Sequence, residues 1–178
     1  MKTITFTLFL HAALIITGFT SVATPVMAST ASKVKAAIVF KLTRYVQWSE
    51  EIQADKQLNL CVFGDNDLYS ELKTTEGKTS KGMAISVEQG NTLADSSKTC
   101  DLLFIGNAAN INTRTVTKVL SDKSVLSVSD RSGFAKEGGM VQIKERGGRI
   151  RFTVNLKSVR ASGLNISSQL LGLAKVIK

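Results

Sequence analysis

The stretch Gly138–Asn155, GGMVQIKERGGRIRFTVN, places two glycine pairs on either side of a run rich in basic residues. A glycine loop that binds phosphate leads from a strand into a helix, whose N-terminal amides hold the anion. In this stretch, apolar and polar residues alternate both before and after Gly147 and Gly148, which predicts a strand on each side. The two glycines can supply the positive φ that tight hairpin turns require. The stretch therefore predicts a β-hairpin and not a phosphate loop.

Short apolar runs precede the hairpin and have the length of buried strands. They are LNLCVFG, MAISVE, DLLFIG and SVLSVSD, which begin at Leu58, Met83, Asp101 and Ser124. The helical patterns NDLYSELK and NTRTVTKVL lie between some of them, and this alternation favours parallel strands under helical covers. The sequence predicts an α/β fold: a single compact domain with a mixed sheet of about six strands that includes the C-terminal hairpin, flanked by helices.

Both ends of the domain are predicted to be helical. Apolar residues recur at helical spacing from Val34 to Tyr45, with Ser32 placed to be the N-cap. After Ser167 a longer helix is expected, whose apolar face either closes the core or forms a dimer contact; that face holds Leu170, Leu171, Ala174 and Ile177. The segment QGNTLADSSKT, before Cys100, is predicted to be a polar loop.

The chain begins with the pattern of a secretory signal peptide. Lys2 precedes an apolar run, Thr3–Val22, that carries no charge, and Val26 and Ala28 stand at the −3 and −1 positions of a cleavage site. We predict export with cleavage after Ala28, so that residues 1–28 are removed and residues 29–178 form the mature domain. An uncleaved membrane anchor is the alternative.

Removal of the signal peptide takes away the only histidine, His11. A chain without imidazole excludes Ser-His-Asp and Cys-His nucleophiles and every histidine metal site. We therefore predict a protein that is not an enzyme, with no catalytic residue, no metal and no cofactor. Ser70 and Lys73 match the Ser-x-x-Lys pattern of penicillin-recognising enzymes and are the enzymatic alternative, but the companion motifs are absent.

The mature chain is basic. The sequence has 23 basic and 14 acidic residues, and loss of Lys2 leaves a net charge of +8. Export argues against a nucleic-acid partner, so the charge favours an anionic membrane surface or an acidic protein patch. The candidate contact residues lie on the first helix and on the hairpin: Lys41, Arg44, Lys144, Arg149 and Arg151. A solvated, half-buried sheet explains the hairpin strip equally well.

Cys61 and Cys100 are the two cysteines of the chain. Because an exported protein enters an oxidising compartment, an intramolecular disulfide between them is the default interpretation. A redox or catalytic thiol is the alternative, but there is no Cys-x-x-Cys motif to support it.

Six segments span nearly the whole mature chain in a fixed order: KAAIVFKLTRYVQW, LCVFG, CDLLFIG, VLSVSD, FAKEGGMVQI and IRFTVNLKSVRASGLNISSQLLGLA. Together they resemble the YfiR family of bacterial periplasmic proteins. The resemblance implies a small α/β domain with a disulfide, commonly a homodimer. The best-known members bind the periplasmic sensor region of an inner-membrane diguanylate cyclase and repress it, which lowers cyclic di-GMP and biofilm formation.

The resemblance also implies roles for particular residues. Cys61 and Cys100 match the paired cysteines of the family. Its other motif positions, interpreted as turn and packing positions, fall on Trp48, Asp130, Gly138, Gly139, Asn155, Gly163 and Ser167. We therefore expect a non-enzymatic periplasmic repressor of a membrane diguanylate cyclase. The alternative is a periplasmic module that binds a small anionic ligand near Arg149 and Arg151.

Overall fold

The computed structural model describes residues 28–146 and 149–178. Residues 1–27, which belong to the predicted signal peptide, and the turn glycines Gly147 and Gly148 lie outside these ranges. The helices are α1 (Ala28–Leu42), α2 (Glu50–Ala54), α3 (Asn66–Lys73), α4 (Leu93–Thr99), α5 (Thr113–Val119), α6 (Leu156–Ala161) and α7 (Ser168–Leu173). The strands are β1 (Val46–Gln47), β2 (Gln57–Phe63), β3 (Thr79–Ser80), β4 (Met83–Gln89), β5 (Leu102–Ile105), β6 (Leu126–Ser129), β7 (Val141–Arg146), β8 (Arg149–Asn155), β9 (Asn165–Ile166) and β10 (Ala174–Ile177).

Eight of the strands form one mixed sheet in the order β10-β8-β7-β6-β5-β2-β4-β3. The central strands β4, β2, β5, β6 and β7 are parallel. Numbered along the chain, they follow the 2-1-3-4-5 order of flavodoxin-like, doubly wound sheets. The predicted hairpin is confirmed, because β7 and β8 pair antiparallel with Ile143 opposite Phe152. β10 then joins β8 in parallel.

Helices cover both faces of the parallel strands. In β5, Leu102 and Phe104 pack in the core beneath α1 and α3, whereas Leu103 and Ile105 pack in a second core beneath α4 and α5. All four side chains are fully buried. A strand buried on both faces reads as a continuous apolar run, which is why DLLFIG was so clear in the sequence. The α/β class and the single domain are thus confirmed.

The disulfide between Cys61 and Cys100 is also confirmed. It links β2 to the residue that follows α4, with a Cα–Cα distance of 5.8 Å. Both cysteines are buried in the second core, among Leu103, Ile105 and Phe134. The bridge therefore holds α4 against β2, an interior strand of the sheet.

The sheet differs from the sequence prediction in having eight strands and not about six. The additional strands are β3 and β10. The long helix predicted after Ser167 is wrong, because α7 ends at Leu173 and the chain continues as β10. The β-branched Val176 and Ile177 favour a strand, and Gly172 weakens the helix before it.

Two local predictions in the first hundred residues are also corrected. The polar loop before Cys100 contains α4, which is capped by Thr92 through the Asp95 amide at 3.1 Å. Helix α1 begins at Ala28, so Ser32 lies inside it and is not its N-cap. In the same part of the chain, Asp65 is the N-cap of α3, and its carboxylate accepts a hydrogen bond from the Leu68 amide at 3.0 Å.

The segment between β6 and β7 is closely packed around Phe134, which is fully buried. Gly138 has φ +103°, a conformation that glycine adopts without strain. The Gly139 amide donates a hydrogen bond to the Phe134 carbonyl at 2.9 Å. A Cβ atom on Gly139 would lie 2.2 Å from the Phe134 ring. The backbone at residue 139 therefore leaves no room for a side chain.

We predict that replacing both Cys61 and Cys100 with alanine lowers the free energy of unfolding by about 2–4 kcal/mol, because the bridge restricts the unfolded chain. Urea unfolding of the oxidised protein and of the double variant measures the difference. The wild-type protein unfolded with a reductant present is the control and should match the double variant. Equal midpoints for the oxidised protein and the double variant would contradict the prediction.

We predict that Gly139→Ala costs about 1–3 kcal/mol of stability, since the new methyl group overlaps the Phe134 ring. Gly172→Ala is the matched control, because a Cβ atom there meets nothing within 4 Å and the site lies in α7. It should stabilise the protein by up to about 1 kcal/mol. Urea unfolding of both variants tests the contrast, and equal effects would refute the packing argument.

Candidate functional site at the carboxyl ends of the parallel strands

The topology of the sheet singles out the carboxyl ends of β2 and β5. The connection after β2 runs through α3 on one face of the sheet, and the connection after β5 runs through α5 on the other. The loops therefore diverge between these neighbouring strands and leave a crevice. In open α/β sheets, ligands bind in the crevice at such a switch point.

A lysine and two aspartates meet at this crevice. The Lys35 ammonium, on α1, lies 2.8 Å from Asp65 Oδ2 and 2.7 Å from Asp130 Oδ2. Asp65 follows β2 and Asp130 follows β6, so both carboxylates stand at strand ends. The Lys35 ammonium also lies 5.6 Å from the centroid of the Phe104 ring, within range of a cation–π contact. Lys35 thus joins α1 to two loops that are distant in the sequence.

The environment of Lys35 keeps its side chain charged. Burial by itself would lower the pKa of Lys35, but the hydrogen bonds with Asp130 and Asp65 outweigh it and raise the pKa above 10.5. A lysine nucleophile needs a lowered pKa to be uncharged near neutral pH. Lys35 is therefore suited to hold charges together and not to attack a substrate.

One carboxylate oxygen of Asp130 accepts no hydrogen bond from the described residues. Its Oδ1 atom is buried and has no hydrogen-bond partner among the described residues. The carboxylate adjoins a cleft of about 580 Å³ lined by Lys35, Gly64, Asp65, Asn66, Asp67, Asn107, Ala108 and Asp130. With three carboxylates and one ammonium, this cleft is acidic in a protein that is basic overall. Its chemistry favours a hydrogen-bond donor or a cation.

Two tightly packed loops form one side of the cleft. Gly64 has φ +74°, and a Cβ atom on Gly106 would lie 2.3 Å from the Gly64 carbonyl oxygen. The Arg131 guanidinium holds the loop after β5 by donating hydrogen bonds to the carbonyls of Gly106, Ala109 and Ile111. The cleft is therefore bordered by loops of fixed shape.

A second cavity lies on the other side of the same ion pair. It has a volume of about 330 Å³ and separates α1 from the β7–β8 hairpin, with Val34, Ile38, Ile143 and Ile150 among its lining residues. Lys35 and Asp130 line both cavities. Val34 is 44% exposed, so the apolar side of this groove is open to solvent, and its charged lining residues are Lys35, Asp130, Lys144 and Glu145.

The basic residues proposed from the sequence fall on two separate elements. Lys41, at the end of α1, and Arg44, just after it, are exposed, and the Arg44 guanidinium lies 5.9 Å from the Phe40 ring centroid. Lys144, Arg149 and Arg151 are exposed on the hairpin. The Lys144 ammonium donates a hydrogen bond to the hydroxyl of Ser132 at 3.0 Å. Neither group adjoins the switch-point cleft.

The remaining motif residues make contacts within the fold. Trp48 is buried and donates to the Thr43 carbonyl at 3.1 Å. The Asn155 side chain caps α6 through the Ser158 amide at 3.1 Å and donates to the Ala135 carbonyl at 2.9 Å. Gly163 has φ +76°, and Ser167 is the N-cap of α7. Of the motif positions, Asp130 is the one that faces the cleft.

Sequence reasoning named Asp130 as a turn and packing position, and it missed Lys35 and Asp65. The signal for Asp65 was present, because it follows a buried strand just as Asp130 does, and parallel strands bring such residues to one edge. Lys35 could not be found in this way, because its role depends on how α1 packs across the sheet.

Residues 28–146 and 149–178 were compared with the requirements of a metal site and of a membrane-spanning helix, and they meet neither. No group of three or more His, Cys, Asp or Glu residues in these ranges could hold a metal ion. Among the helices described, none is long and apolar enough to cross a membrane.

A sequence model of a family described as YfiR/HmsC-like matches residues 32–175 of the chain. The match includes the two cysteines, the Lys35–Asp65–Asp130 cluster and the β7–β8 hairpin. It therefore covers the sheet from β2 to the first residues of β10.

We predict that Lys35→Met lowers the free energy of unfolding at neutral pH by about 1–3 kcal/mol, because two partly buried carboxylates lose their counter-ion. Lys33→Met, at an exposed position on the same helix, is the control and should change stability by less than about 0.5 kcal/mol.

The pH dependence follows from the raised pKa of Lys35. A lysine whose pKa is higher in the folded state stabilises the protein fully below its unfolded pKa, and this stabilisation is lost as pH rises through the folded value. The difference between wild type and Lys35→Met should be constant between about pH 7 and pH 9, and shrink above pH 10.5. Urea unfolding across this range checks it, and a difference that grows with pH would contradict it.

Proposed function

The chain belongs to the YfiR/HmsC-like family, and from this membership we propose that it is a periplasmic repressor of an inner-membrane diguanylate cyclase. The protein binds the periplasmic sensor region of the cyclase and lowers cyclic di-GMP and biofilm formation. The observation that carries the proposal is the family match from residue 32 to residue 175. The family is regulatory and not catalytic, so the protein acts by binding and does not transform a substrate.

The structure supports this proposal in two ways. A buried disulfide is suited to an oxidising compartment such as the periplasm. The ionised Lys35 and its two carboxylates form a charge cluster with no nucleophile activated by a neighbouring base.

Residues 1–28 are proposed to be the signal peptide that directs export, with cleavage after Ala28 and residues 29–178 as the mature domain. Cleavage there would leave almost all of α1 in the mature protein.

Repression of this kind shifts the cyclase population from the active to the inactive conformation. The repressor binds the inactive conformation of the sensor region more tightly than the active one, and the cyclase transmits that bias across the membrane. Moving an equilibrium from mostly active to almost wholly inactive needs about a 10⁴-fold difference in affinity between the two conformations. The repressor therefore needs contacts that the sensor region offers in its inactive conformation and not in its active one.

The proposed contact surfaces are the end of α1, with Lys41 and Arg44, and the hairpin strip, with Lys144, Arg149 and Arg151. A homodimer, as implied by the family resemblance, would double the number of such surfaces. A second proposal is that a small anionic ligand binds at Arg149 and Arg151, which are exposed neighbours on one strand. Such a ligand would compete with an acidic partner.

We predict that deletion of the gene raises cellular cyclic di-GMP several-fold in a strain that expresses the partner cyclase, because the inactive state loses the protein that stabilises it. Mass spectrometry of cell extracts measures the nucleotide. Expression of the wild-type gene from a plasmid should restore the low level.

The matched control is a strain in which the cyclase domain of the partner is inactivated by mutation. Deletion in that strain should leave cyclic di-GMP unchanged, which separates repression of the cyclase from indirect effects. An unchanged level after deletion in the strain with the active cyclase would exclude repression as the function.

A further inference from the structure

β10 forms one edge of the eight-stranded sheet. Among the described strands, Ala174–Ile177 pair with β8 alone, so the backbone on the other side of β10 has no strand beside it. An edge of this kind presents N–H and C=O groups on which a further strand can form. The opposite edge of the sheet is β3, which has only two residues. β10 is thus the longer of the two edge strands.

Four cationic side chains lie on one face of the sheet next to this edge. Lys144 and Arg151 are directly opposite in the hairpin, and Arg149 is two residues from Arg151 and therefore on the same face. Lys175, in β10, pairs with Thr153, which belongs to the same face. All four cations are exposed. In the described parts of the chain, none of them forms an ion pair.

The other face of the same edge is apolar. Val176 pairs with Val154 and is only partly buried, so it adjoins the core without being covered by it. Ala174, two residues before Val176, lies on the same face and is also only partly buried. A strand placed beside β10 would send alternate side chains to the two faces. One set would approach Lys175 and the other would cover Val176.

We propose that β10 binds an extended, acidic segment of the partner protein, which adds to the sheet as a further strand. Acidic side chains of this segment lie beside Lys175 and Arg151, and its apolar side chains pack on Val176. Strand addition of this kind obtains affinity from backbone hydrogen bonds and specificity from alternate side chains. The proposal rests on the proposed function, because it requires a protein as the target.

The charge of the edge argues against a second copy of this chain as the occupant. Pairing of two β10 strands would bring Lys175 of each copy to the same junction and would join two basic faces. Like charges on neighbouring strands are destabilising, and lysine on an edge strand is a known means of preventing self-association. An acidic segment is instead attracted by Lys175 and the basic face beside it. This charge complementarity favours an acidic partner over a basic one.

The test uses a fluorescent peptide of four Glu-Val repeats and the purified protein. Fluorescence anisotropy should show binding, and hydrogen exchange should show slower exchange of the amides of residues 174–177. A peptide with the same charges but with every backbone nitrogen methylated cannot donate the hydrogen bonds of an added strand. It should bind at least about tenfold more weakly, and a Lys-Val peptide should not bind.

Charge-reversal variants test the side-chain contribution. The double variant Lys175→Glu, Arg151→Glu should bind the Glu-Val peptide roughly tenfold more weakly. Lys98→Glu is the matched control, since Lys98 is an exposed lysine on α4, and it should bind like wild type. Circular dichroism establishes that both variants are folded. Equal binding by the methylated peptide, or by the double variant, would overturn the proposal.

Three further outcomes separate this proposal from others. If exchange at residues 174–177 slows with increasing protein concentration and no peptide, β10 is a self-association edge and the proposal fails. In cells, the double variant should restore low cyclic di-GMP less effectively than the wild-type gene does. If it restores repression fully, strand addition is wrong while the proposed function stands. If gene deletion has no effect, the proposed function itself fails.

Discussion

A parallel β-sheet has to be covered on both faces, and this constraint governs the rest of the molecule. In β5 all four side chains are buried, two beneath α1 and α3 and two beneath α4 and α5. Because α1 must lie across the sheet to complete one cover, it brings Lys35 over the carboxyl ends of the strands. The two carboxylates that stand there, Asp65 and Asp130, are then held by one ammonium group. The charge cluster is thus a consequence of how the sheet is covered.

One part of the sheet is held by a covalent bond, whereas the hairpin and β10 are exposed. The disulfide joins Cys61 in β2 to the end of α4, so the strand that carries Asp65 at its end is covalently tied to one of its covers. The hairpin and β10 expose basic side chains. β10 also forms an edge of the sheet that has no other described strand beside it. Under the proposed function, these open surfaces are the ones available for contact with the cyclase.

Much of the fold could be predicted from local pattern. The run at Asp101–Gly106 identified a strand buried on both faces, and the glycine-flanked stretch at residues 138–155 identified the hairpin. The residues of β10 were predicted to be helical because Ala174 and Ile177 also fit helical spacing. They form a strand because one edge of β8 is free to pair with them. Of the charge cluster, Asp130 alone was named from the sequence, as a turn and packing position. Its lysine partner is 95 residues away in the sequence, and only the packing of α1 unites them.

Lys35 and Asp130 form the partition between the acidic cleft and the apolar groove. A molecule that draws the ammonium away from Asp130 in one compartment alters the wall of the other. Thermodynamic linkage then requires that occupation of the groove change the affinity of the cleft by the same factor, in the same direction. A ligand in the cleft and a ligand in the groove thus change each other's affinity through a single pair of opposite charges.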